Sequence, residues 1–182
     1  MLYKYKSVEV LYSTSPEDAA VNMVLSKLAY TNPLIEAVKS GDITKVQRLL
    51  KEEVDLNNRD PFDWTALHYA ASKGHYEMVI LLLNAGADKD KPMLDGSTPL
   101  FMAVQNGHEA VVALLLEAGV EKNNRDWFGW TPLHHAAWCG NVNAVELLLN
   151  AGANKDIMSL DNVTPLIIAN EADHEQIVKL LE

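Results

Sequence analysis

The sequence predicts an all-α fold built from five repeated two-helix units. Three observations predict it. A tetrapeptide recurs every 33 residues, several apolar columns keep the same interval, and each unit carries a helix start, a glycine stop and a second apolar stretch. The bulk numbers allow one well-buried domain, since the chain has 182 residues and is 48% hydrophobic. Its 22% of charged residues is not a disordered composition.

The tetrapeptides are Thr65-Ala66-Leu67-His68, Thr98-Pro99-Leu100-Phe101, Thr131-Pro132-Leu133-His134 and Thr164-Pro165-Leu166-Ile167, with Asn32-Pro33-Leu34-Ile35 one step before them. Thr or Asn accepts a hydrogen bond from the first free N–H groups of a helix, and Pro suits the first helical turn. The first helix of each unit then runs about eight residues to Gly41, Gly74, Gly107 or Gly140, and in the last unit to Asp173. Ala37, Ala70, Ala103, Ala136 and Ala169 form a column on that helix.

The second helix follows the glycine, as from His75 to Asn84. It carries the columns Val46, Val79, Val112, Val145, Val178 and Leu49, Leu82, Leu115, Leu148, Leu181. An Asn-Ala-Gly-Ala segment such as Asn84 to Ala87 ends it, and a polar loop of roughly ten residues leads to the next Thr.

With this period and the Thr-Pro-Leu-His pattern, the chain resembles the ankyrin-repeat family from about residue 32 to its C-terminus. The resemblance implies an all-α ankyrin-repeat solenoid of five stacked helix-turn-helix units with short β-hairpin fingers. The repeats start near residues 31, 60, 93, 126 and 159, the last one truncated, in a domain of residues 31–182. In the family, finger tips and first helices line a concave face, and second helices line the convex one.

The first unit reads as an end cap. Arg48 stands where Leu81, Leu114, Leu147 and Leu180 stand later, and Glu53 replaces the glycine of 86, 119 and 152. The sequence stops inside the second helix of the fifth unit, which fits either a short C-terminal cap or a fragment of a longer chain. Residues 1–30 do not fit the register. Ser15 and Asp18 there read as the start of a helix near 16–29. That segment is expected to pack over the first repeat, or to act as a peptide-like arm that competes for the groove.

The fingers also alternate with a period of 66. Asn57 to Trp64 resembles Asn123 to Trp130, and Met93-Leu94-Asp95-Gly96 resembles Ser159-Leu160-Asp161-Asn162. A duplicated two-repeat unit explains this, with two similar half-sites along one groove as the functional alternative.

Charge and composition exclude several functions. A net charge of −10 disfavours nucleic acid and anionic membrane as partners, and no run of about 18 apolar residues is present. The single Cys139 rules out an intrachain disulfide and points to a reducing, intracellular setting, cytoplasmic or nuclear. Five of the six histidines have structural addresses. His68 and His134 fill the tetrapeptide, His75, His108 and His174 follow the glycine column, and His135 is left over. No nucleophile, base and oxyanion set presents itself, and no metal set. The expectation is a non-catalytic monomer without cofactor or metal.

In ankyrin repeats the variable, partner-touching positions lie at the finger tip, just before the Thr, at the end of the first helix and at the end of the unit. All four tryptophans fall in that set. The resemblance therefore implies a partner-binding face of Phe62, Trp64, Lys73, Leu94, Gln105, Asn106, Arg125, Trp127, Phe128, Trp130, Trp138 and Glu171. Trp127, Phe128 and Trp138 are its expected centre, with Gln105, Asn106 and Glu171 flanking Trp138. Trp64 and Trp130 stand where the family often packs an aromatic on its own finger, and Phe101 is read as core. The expected ligand is a segment of another protein. The alternative is an aromatic cage of Trp130, Trp138 and Glu171 for methylated lysine or another quaternary cation.

Overall fold

A computed structural model describes residues 32–182. The chain divides into a unit of residues 1–31 and a unit of residues 32–182. The expected helix near 16–29 and both readings of residues 1–30 lie outside the described residues.

Ten helices among the described residues follow one another in five pairs. The first members are α1 (Pro33–Lys39), α3 (Ala66–Ser72), α5 (Pro99–Gln105), α7 (Pro132–Cys139) and α9 (Pro165–Glu171). The second members are α2 (Ile43–Leu49), α4 (Tyr76–Asn84), α6 (Glu109–Glu117), α8 (Val142–Asn150) and α10 (Glu175–Leu181). Each first helix packs on the next first helix, and each second helix on the next second helix, so the stack has two helical layers.

The caps follow the expected chemistry at most units. Asn32 Oδ1 accepts from Leu34 and Ile35 N–H, and Thr164 Oγ1 accepts from Ile167 N–H. At Thr65 and Thr131 a histidine three residues on completes the cap. Thr65 N–H donates to His68 Nδ1 at 3.2 Å, and Thr131 N–H donates to His134 Nδ1 at 3.1 Å. The Nε2–H groups of these rings donate to Ser97 O at 3.4 Å and Val163 O at 3.1 Å, one unit on. Both rings are therefore neutral, with the proton on Nε2. Burial holds each at a pKa of about 4, below the ordinary 6.5.

Thr98 departs from this pattern. Phe101 occupies the histidine position and is buried, and Thr98 Oγ1 has no hydrogen-bond partner. The phenyl ring packs edge-on against His135, with centroids 5.1 Å apart.

The alanine column is fully buried from Ala37 to Ala169, and the leucine column is buried from Leu49 to Leu181, fully so at Leu82, Leu115 and Leu148. Alanine lets neighbouring first helices approach closely, while each buried leucine contributes about 2 kcal/mol of apolar transfer. Arg48, in the first pair, is exposed where the later units place half-buried leucines.

Each first helix ends at a residue with positive φ. Gly140 has φ 71°, and a Cβ there would approach His174 Cε1 to 2.8 Å. That ring lies close because His174 Nε2 donates to Trp138 O. His108 makes the same reach to Ser72 O at 2.8 Å. Asp173 keeps the conformation without glycine, at φ 58°.

The fingers are hairpin turns, but no strand forms among the described residues. Each is closed by a turn bond and one further pair. In the first, Asp63 N–H donates to Asp60 O and Asp60 N–H to Trp64 O; in the third, Gly129 N–H donates to Asp126 O and Asp126 N–H to Trp130 O. Asp63, Gly96, Gly129 and Asn162 take the left-handed position, as a three-residue hairpin loop requires. Adjacent fingers are joined at their tips: Trp127 N–H donates to Asp95 O at 2.8 Å, and Leu160 N–H to Phe128 O at 3.0 Å.

Candidate functional site

The finger tips point apolar side chains into solvent. Phe62, Leu94, Trp127, Phe128 and Leu160 are all exposed, Trp127 by 63%. Trp138, at the end of α7, is 40% exposed. None of these positions belongs to a buried column. Leu160 and Met158, at equivalent variable positions of the repeat, extend the patch, and both are exposed.

Aspartates hold two of these fingers rigid. Asp60 Oδ1 accepts from Phe62 and Trp64 N–H, and its Oδ2 accepts from Tyr69 Oη at 2.6 Å. Asp126 Oδ1 accepts from Phe128 and Trp130 N–H, and its Oδ2 contacts His135 Nε2 at 3.1 Å. The leftover histidine is thus a finger brace. Tyr69 and His135 are 66 residues apart, so the double period continues into the first helix. Residue identities hide this continuation, because the brace is a tyrosine in one unit and a histidine in the other.

The sequence-predicted residues divide three ways. Trp64 and Trp130 are half-buried: Trp64 lies against Tyr69 at 4.6 Å, and Trp130 against His135 at 5.0 Å. Phe62, Leu94 and Trp127 come together, with Trp64, Met93 and Asp95, around one groove of about 160 Å³. Trp138 joins Trp130 edge to face at 6.1 Å. Lys73, Gln105, Asn106, Arg125 and Glu171 are exposed. Two of them are engaged internally. Arg125 Nη2 donates to Met158 O at 2.7 Å and its Nε to Gly129 O, while Asn106 Nδ2 donates to Met102 O.

No three His, Cys, Asp or Glu side chains converge on a point among the described residues. Cys139 is exposed, and the protein atoms around its sulfur raise the thiol pKa, opposite to what a thiolate nucleophile needs. No described helix is long and apolar enough to cross a membrane.

The family model described as ankyrin repeats in three copies matches residues 3–93, 34–126, 88–159 and 125–182, which together span nearly all of the sequence. The chain belongs to the ankyrin-repeat family. Ankyrin repeats generally mediate protein–protein interaction and are generally non-catalytic. Human ankyrin repeat domain-containing protein 40 is 36% identical over 81 residues, 44% of this chain and 22% of that protein. Human protein phosphatase 1 regulatory subunit 27 is 41% identical over 66 residues, 36% of this chain and 43% of that protein. Mouse 2-5A-dependent ribonuclease is 43% identical over 67 residues, 36% of this chain but 9% of that protein. The similarity covers well under two thirds of each relative and lies in a stretch the length of about two ankyrin repeats.

Proposed function

We propose that this ankyrin-repeat chain is a non-catalytic protein-binding module whose finger tips and first-helix ends receive an extended or loop segment of another protein. The observation that carries this reading is the solvent-facing apolar row of Phe62, Leu94, Trp127, Phe128 and Leu160, continued by Trp138. No buried column accounts for these residues, and exposed aromatics in one patch mark recognition surfaces. Buried at an interface, a tryptophan of this kind contributes about 2 kcal/mol or more.

The fingers that carry Phe62 and Phe128 are pinned by Asp60 and Asp126, so their backbone is set before a partner arrives. Prior ordering lowers the entropy lost on binding. Trp130 and Trp138 meet edge to face. The exposed row runs over four fingers, further than one quaternary ammonium would cover, so the protein-segment reading is preferred over the cage.

The test is a Trp127→Ala, Trp138→Ala double variant. Both side chains are exposed, so its melting temperature should match the parent within a few degrees. Affinity for a partner captured from lysate and then purified should fall at least about tenfold. Unchanged affinity with unchanged melting would remove these residues from the binding surface.

A further inference from the structure

The groove between the first three described fingers contains one charge. Phe62, Trp64, Met93, Leu94 and Trp127 form its apolar walls, and Asp95 is the one charged residue of its lining. At about 160 Å³ it is smaller than the roughly 300 Å³ at which small-molecule pockets begin, and it suits a single side chain.

Asp95 is fixed by its own finger. Its Oδ1 accepts from Ser97 N–H at 2.9 Å, and its backbone carbonyl accepts from Trp127 N–H at 2.8 Å. Its carboxylate forms no ion pair among the described residues. The arginines of the flanking fingers are engaged elsewhere, Arg59 with Asp63 at 2.9 Å and Arg125 with the carbonyls of Met158 and Gly129. Lys89 and Lys91 are likewise paired, with Asp90 and Asp88. What remains is a held carboxylate without an ion pair, on a residue that lines the groove together with Trp64 and Trp127.

We propose that this groove receives an arginine side chain of the partner segment. The proposal rests on the reading of the finger face as a protein-binding surface and names the chemistry of one anchor. A guanidinium is planar and weakly hydrated. It stacks on an indole while donating to a carboxylate, and both surfaces are present here. Asp95 keeps Oδ2 and one lone pair of Oδ1 for it. Leu94 and Phe62 would cover the methylene stem.

The test uses an acetylated, amidated tripeptide with arginine between two leucines, alongside citrulline and lysine versions. The readout is the indole N–H signals of Trp64 and Trp127 in nuclear magnetic resonance titrations. The arginine peptide should shift both signals saturably, with a Kd on the order of millimolar. The citrulline peptide should bind about tenfold more weakly, because the charge-assisted bond is lost. Asp95→Asn should weaken the arginine peptide by a similar factor without changing the melting temperature, since the amide oxygen still accepts from Ser97 N–H. Absence of a saturable shift would overturn the proposal. So would equal affinity for citrulline or lysine, or arginine binding unaffected by Asp95→Asn. Failure here with intact Trp127- and Trp138-dependent capture removes this anchor alone; capture indifferent to those tryptophans removes the reading beneath it.

Discussion

Thr98 lies three residues before Phe101, and its buried hydroxyl has no partner because a phenyl ring stands where the neighbouring units place an imidazole. In those units the hydroxyls of Thr65 and Thr131 sit 2.9 and 2.8 Å from His68 and His134 Nδ1. A buried hydroxyl without a partner is a local cost, so the three threonines should respond differently to the same change. Thr98→Val should be neutral or stabilising by up to about 1 kcal/mol. Thr65→Val and Thr131→Val should each cost about 1 kcal/mol, since they remove a made hydroxyl contact to a buried histidine whose Nδ1 then keeps only the backbone N–H. Urea unfolding of the three variants checks this, and equal losses would refute it.

His68 and His134 should make stability fall with acid. Each has its pKa lowered from 6.5 to about 4 by burial, so the unfolded chain takes up a proton more readily than the folded one. Their contribution is fully present above pH 6.5 and is lost as pH falls toward about 4. The limit is about 3 kcal/mol for each ring. Melting temperatures measured from pH 8 to 4 should be flat at first and then drop. A His68→Phe, His134→Phe variant should show a shallower slope.

The left-handed positions at the ends of α7 and α9 should respond in opposite directions. Gly140→Ala forces a Cβ into the His174 ring at a φ of 71° and should cost at least about 2 kcal/mol. Asp173→Gly relieves a non-glycine residue at φ 58° and should gain about 0.5–1 kcal/mol. Chemical denaturation of both variants decides the matter.

Asp126 should matter for the third finger beyond its charge. Asp126→Ala removes the acceptor of Phe128 N–H, Trp130 N–H and His135 Nε2, and should cost about 2–3 kcal/mol. Asp126→Asn keeps the two backbone bonds and should cost less than half as much. Thermal unfolding and hydrogen exchange at Phe128 and Trp130 give the comparison.

The scaffold was legible in the sequence because stacking imposes one interval on every buried column, so alanine, valine and leucine at a spacing of 33 report the core directly. The aromatic tips were legible for the opposite reason, as large apolar residues at positions the core does not use. The brace was not, because Asp60 meets a tyrosine and Asp126 a histidine, and a search for repeated identities passes over a repeated bond. Arg125 was not legible either. Its acceptors are backbone carbonyls, one of them in the next finger, and nothing in residue type announces a carbonyl.

The Phe101 substitution also makes the stack uneven along its length. On either side of it, a buried imidazole donates to a backbone carbonyl of the next unit; at Phe101 no imidazole makes that reach, and the ring packs instead on His135, whose Nε2 lies against Asp126. Lowering the pH should therefore work inward from both flanks, loosening α3 from α5 and α7 from α9 first. The block from α5 to α8 would persist longest, and it carries Trp127, Trp130 and Trp138, so the aromatic surface should outlast the parts of the molecule that flank it.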